Sequence, residues 1–157
     1  MARIDTDVYP LMLALTGCLS STLEEFGVAM CKVYPTFDDE IDMAEVGQDG
    51  GVGYVKLLSL GPSEPERPSV CGSGVVVSFE VGLGICYPVN DDGDSLTVDQ
   101  QIEVGQALVR AMQASWAAIS CCDWAGDHRR HVYVDGWTGF GPSGGIIGGS
   151  WAVEVNL

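Results

Sequence analysis

The chain reads as an α+β domain, with two helices packed on one face of a mainly antiparallel sheet in the order αβββαββ. Three observations lead there. Two segments, over about 6–26 and from 97 to the Cys121-Cys122 pair, repeat apolar residues at helical spacing. The remaining apolar runs are short and bounded by glycine, proline or acidic clusters, as strands are. The last of them alternates, with Trp151, Val153 and Val155 on one face and Ala152, Glu154 and Asn156 on the other. Two helices set against such strands pack as one layer on a sheet.

Each element has a local cause. In the first helix Val8, Leu11, Met12, Leu15, Leu19, Leu23 and Phe26 keep the period. Asp5, Thr6 and Asp7 offer N-caps, Pro10 falls in the first turn where its missing N–H is tolerated, and Gly27 supplies a stop. A short strand over 28–34 ends at Pro35. The loop over 36–51 holds Asp38, Asp39, Glu40, Asp42, Glu45 and Asp49 with no base, so self-repulsion is expected to keep it extended and mobile. A strand over 53–60 leads into a stiff connector over 61–68 with three prolines. The third strand lies within 73–87, where Gly82 and Gly84 mark a bulge or a close backbone approach. A turn over 90–94 follows. Thr97 and Gln100 then form a capping box for the second helix, whose stripe is Val98, Ile102, Gly105, Leu108, Val109, Met112, Trp116 and Ile119. A strand over 131–135, a glycine-rich hairpin loop over 136–149 and the final strand complete the chain. There is no internal repeat.

The 157 residues form one domain, 1–157. Against 22 acids stand only 7 lysines and arginines, a net charge of −15, which excludes a sequence-independent grip on nucleic acid. Such acidity either keeps an oligomer soluble or lines a passage through which DNA slides without sticking. No stretch reaches the roughly 20 apolar residues of a membrane span, and the start has no signal-peptide pattern. A cytoplasmic site of synthesis follows as the expectation, with Cys18, Cys31, Cys71, Cys86, Cys121 and Cys122 mostly reduced. No two of them make a CxxC pair, and four fall in apolar stretches that suit a free thiol as a small core residue.

No residue pattern announces catalysis. His128 and His131 with Cys121, Cys122 and Asp123 lack zinc-site spacing and read equally as a solvated loop. Asp91-Asp92-Gly93-Asp94 lacks the length and the closing glutamate of a calcium loop. The glycine run over 139–145 has no lysine and no following helix, so it is a hairpin turn rather than a phosphate cradle. No serine sits in a nucleophile elbow. The expectation is a non-enzyme with no cofactor and no metal. Trp137 and Phe140 stand out as aromatics in a glycine-rich loop. They are either contact residues or a lid folded back on the sheet.

Several stretches carry a resemblance. Gly53-Tyr-Val-Lys-Leu-Leu-Ser-Leu, the proline-rich connector with Cys71, Phe79-Glu-Val-Gly-Leu, and Gly141-Pro-Ser-Gly-Gly-Ile-Ile-Gly-Gly-Ser-Trp are similar to small virion proteins of actinobacterial tailed phages. Within that group the chain most resembles the tail terminators, over about residues 50–157. The resemblance implies a homo-oligomeric ring, a hexamer, that caps the tail tube and joins it to the head. Its expected partners are further copies of itself, the major tail tube protein and a head-side neck or stopper protein, with genomic DNA only as passing cargo and no membrane. It implies assembly in the host cytoplasm, residence in the virion neck, and no catalytic residue. On this reading Trp137, Phe140, Ile146 and Ile147 are assembly-contact candidates. Asp38, Asp39, Glu40, Asp42 and Glu45 are channel or loop acids. The alternatives are another neck component (a stopper or an adaptor), a small metal-binding enzyme built on His128 and His131, and an acidic binding module of the host.

Overall fold

The computed structural model describes residues 7–62, 74–90 and 95–157, with side chains for all of these except 128–130. The expected helix caps Asp5 and Thr6, most of the proline-rich connector, Cys71, the start of the third strand at Ser73 and the turn acids 91–94 lie outside the described residues. The order is α1 (Tyr9–Glu25), β1 (Met30–Thr36), β2 (Gly51–Pro62), β3 (Val75–Cys86), α2 (Val98–Ser120), a 3-10 turn (Gly126–His131), β4 (Val132–Val134), β5 (Thr138–Ser143) and β6 (Ile146–Asn156). The class is α+β. The expected order αβββαββ is short by one strand, because the glycine-rich segment forms β5 instead of remaining loop.

Among the described residues the sheet has 6 strands in the order β1-β2-β3-β6-β4, with β5 also paired to β6. Strands β1 and β2 are parallel, and every other pair is antiparallel. A parallel neighbour cannot be reached by a tight turn and needs a crossover of about a dozen residues. Residues 37–50 are that crossover, which accounts for the length of the acidic loop. The final strand lies inside the sheet between β3 and β4. Leu157 N–H donates to the Val75 carbonyl at 2.8 Å, so the last described residue is tied down.

Alternation along β3 divides the two faces. Val77, Phe79, Val81, Leu83 and Ile85 point to the helices and join one core with Leu11, Met12, Leu15, Leu19 and Leu23 of α1. From α2 the same core takes Ala111, Ala114, Ala118 and Ile119. The three alanines let α1 and α2 approach closely. The capping box of α2 forms as read, with Gln100 N–H on Thr97 Oγ1 at 3.2 Å and Thr97 N–H on Gln100 Oε1 at 2.9 Å. The stripe that keeps the helical period does not face the core as a whole. Val98, Ile102, Val109 and Trp116 are 71%, 52%, 52% and 45% exposed, and alanines take the inward positions. Apolar periodicity locates a helix face, and here the chain carries two such faces.

The expectation of reduced cysteines is corrected for one pair. Cys18 of α1 and Cys122, just past α2, form a disulfide with a Cα–Cα distance of 6.0 Å across a sequence separation of 104. Linear spacing gave no sign of it because the helix pairing, not the sequence, brings the two together. Cys31, Cys86 and Cys121 are free.

Candidate functional site

Two features dominate the surface away from the helices, the acidic crossover and the β5–β6 hairpin. The crossover lies on the outer sheet face. Beneath it Val52 and Tyr54 are buried, and Met43 packs toward Gly84. Self-repulsion does not free this loop, because two strand lysines hold it. Lys32 Nζ contacts Asp42 Oδ2 at 2.9 Å and Glu45 at 3.9 Å, and Lys56 meets Asp39 at 3.5 Å. Asp42 N–H donates to the Tyr34 hydroxyl at 3.0 Å, and Ala44 N–H donates to Asp42 Oδ1 at 3.0 Å. Asp38 N–H donates to Thr36 Oγ1 at 3.1 Å. Six acids less these two lysines leave a local charge of −4, so the loop stays strongly negative.

The hydrogen bond from Lys32, and then that from the Ala44 amide, hold the Asp42 carboxyl below the usual carboxylate range. The same pairing raises the Lys32 ammonium above its ordinary value. The sign follows. The Asp42 contribution is present above its unfolded value and is lost as pH falls through the lowered folded one. The Lys32 contribution is present below its unfolded value and is lost as pH rises through the raised folded one. Hydrogen exchange at the Asp42 and Ala44 amides, taken relative to the intrinsic rate at each pH, should therefore accelerate below pH 4, roughly, and in high salt. Lys32→Met should give the same faster exchange at neutral pH, while the exchange of core strand amides stays unchanged.

Below the crossover Tyr54 lies flat on Gly82, where any Cβ would meet its ring. Its hydroxyl donates to Glu80 Oε1 at 2.6 Å. Burial first, and then the Glu80 carboxylate, raise the phenol above its ordinary value. Tyr54 thus fixes the centre of the outer face as a neutral, packed platform rather than an ionising group.

The hairpin turns at Gly144-Gly145, with φ of 57° and 76°. A two-residue turn of this hand requires positive φ at both positions. Tyr87 N–H donates to the Gly145 carbonyl at 2.7 Å and ties the turn to the end of β3. The four contact candidates part company here. Trp137 is half-buried, lies over Gly149 and meets Trp151 edge-on with centroids 5.4 Å apart. Trp151 in turn packs against Trp116 at 5.2 Å, and its Nε1–H donates to Ser115 Oγ at 2.9 Å. Trp137 is thus a lid on its own sheet. Ile147 is half-buried against the core, and Ile146 approaches Gly84 on the outer face. Phe140, 37% exposed above Gly148, is the most accessible of the four. Ser115→Ala removes the acceptor of a part-buried indole N–H and should cost about 1–2 kcal/mol, read as a lower midpoint in urea.

The five acids named for a channel or loop role share one surface, the crossover. The four contact candidates sit on the hairpin and its flank. Sequence reasoning missed the outer face of α2, although the 4-3-4-3-4 spacing of Val98, Ile102, Gly105, Val109, Met112 and Trp116 was readable. It also missed Tyr54 with Glu80, for which only the strand register gives a signal. Among the described residues no group of three or more His, Cys, Asp or Glu side chains is placed to hold a metal ion. Cys122, drawn into the metal-binding alternative, is committed to Cys18. None of the described helices is long and apolar enough to cross a membrane. No protein family matches the chain, and no curated protein matches it.

Proposed function

We propose that this chain is a structural virion protein of a tailed phage, a ring that caps the tail tube and joins it to the head. The observation that carries the proposal is the combination of two helices on a mainly antiparallel sheet with a final strand paired inside it, taken together with the resemblance of residues 50–157 to tail terminators. The physical logic is capping. A tube grows by adding subunits to a repeating interface, and a ring that matches the tube below but not above ends the addition. The residual −4 on the crossover suits a wall past which DNA must slide without adhering. The Cys18–Cys122 disulfide is compatible with a particle that leaves a reducing host.

In this role the hairpin meets the tube or the neck, with Phe140 as the exposed anchor. Phe140→Asp should abolish capping of tube ends while leaving the fold intact, because its ring is only partly buried. Trp137→Ala should instead lower stability through Trp151. Electron microscopy of tube lengths, set beside thermal melts of each variant, separates the two effects. Normal tube lengths with Phe140→Asp would remove the hairpin from the contact.

A further inference from the structure

We infer that the outer faces of α1 and α2 are the two halves of one self-association contact, in which α2 of one copy docks on α1 of the next. The inference deepens the ring reading by naming its subunit contact, and it rests on that reading only for the number of copies.

Helix α2 is inverted in size. Its buried face is mostly small, built on Ala111, Ala114, Ser115, Ala118 and Ile119, whereas Val98, Ile102 and Val109 face outward and Trp116, packed on Trp151 along one side, stays 45% exposed. With Gly105 and Met112 these residues form a seam spaced 4-3-4-3-4, the spacing of a strip that packs along another helix. Gly105 sharpens the point. A glycine in a helix interior is unfavourable relative to alanine. A Cβ there would meet nothing within 4 Å, so the space beside it is unfilled within one copy.

The complementary face is on α1. Between Leu13 and Ser21 its exposed positions are Leu13, Ala14, Gly17, Ser20 and Ser21, mostly small, and Gly17 also has nothing within 4 Å of a built Cβ. Large residues on one helix and small ones on the other allow close helix approach. Charge selects the occupant as a second copy. Copies that each carry −15 repel one another and can meet only where charge is absent. From Tyr9 to Leu23 α1 has no charged residue, its two acids, Glu24 and Glu25, lying in the last turn, and α2 has only Asp99, Glu103 and Arg110. Gln101, Gln106 and Gln113 flank the α2 seam. Two different patches in contact make a head-to-tail interface, which closes as a ring when the rotation allows.

Sedimentation equilibrium of the full chain tests this. The wild type should exceed the 16.6 kDa of one chain, and Ile102→Glu/Val109→Glu should weaken association on the order of 100-fold or more. Gly17→Gln and Gly105→Gln, both placed in open space, should do the same with native circular dichroism, which covers any failure of the double variant to fold. The decisive arm mixes Gly17→Gln with Gly105→Gln. Each variant alone should stay at one chain, while the mixture should form a two-chain complex through its one intact pair of faces. A wild type that remains at one chain, variants that keep the wild-type mass, or a mixture that stays at one chain would each overturn the contact. Rings that persist in the variants would overturn this contact and leave the tail reading standing. Association through these faces without tube capping would do the reverse.

Discussion

Reduction of the Cys18–Cys122 disulfide should lower the melting temperature by roughly 5–15 °C. The bond closes a loop spanning 104 positions. Chain-entropy reasoning assigns about 4.7 kcal/mol to a loop of about 100 residues, and removal of native disulfides typically costs about 2–5 kcal/mol. For a domain of this size each kcal/mol moves the midpoint by roughly 2–4 °C. The bond also pins α1 to the end of α2, at the seam where Ala111, Ala114 and Ala118 leave little side chain between the helices. Calorimetry with and without reductant measures the effect, and Cys18→Ser/Cys122→Ser should reproduce the reduced midpoint. A shift under about 1 °C in both experiments would show that helix packing alone holds this edge of the core.

Gly148→Ala is the second large effect. In β6 this residue pairs with Gly84 of β3 and with Phe140 of β5. An added Cβ would run into the Leu83 carbonyl oxygen, and it would also stand 2.7 Å from the Phe140 ring and 2.9 Å from the Gly84 Cα. A ring can move aside, but two backbone obstacles in the central ladder cannot do so without opening the sheet. Overpacking of this kind costs about 1–3 kcal/mol and occasionally more, and the upper end is expected here. Urea unfolding should show it as a lower midpoint with an unchanged slope. Gly105→Ala is the matching control. It lies in open space on a helix and should stabilise a single chain by up to about 1 kcal/mol.

These glycines also show what the sequence discloses and what it hides. The capping box at Thr97 and Gln100, the stop at Gly27 and the alternation of the last strand were legible because each depends on residues within a few positions of one another. The same holds for the α+β class, which follows from two helical periods among short strands. Strand β5 was hidden because Gly-Phe-Gly-Pro has no apolar alternation, and its partner, β6, supplies the ladder that orders it. The crossing role of residues 37–50 was hidden because parallel pairing of β1 with β2 is a tertiary choice. The lysines that hold those acids lie on the flanking strands, outside the loop itself. Helix α2 was located correctly and oriented only in part. Its large apolar residues dominate the periodicity, yet the alanines pack inward. Of the candidate residues, Phe140 and the crossover acids are surface groups, while Trp137 and Ile147 serve the fold of their own chain first.

A ring-forming cap should be visible by negative-stain imaging of the purified protein, with native mass spectrometry on the same sample. Rings of six copies around an open centre are expected, lost when Gly105→Gln is introduced. A single chain at every concentration, in the presence of tail tubes as well as alone, would refute the cap.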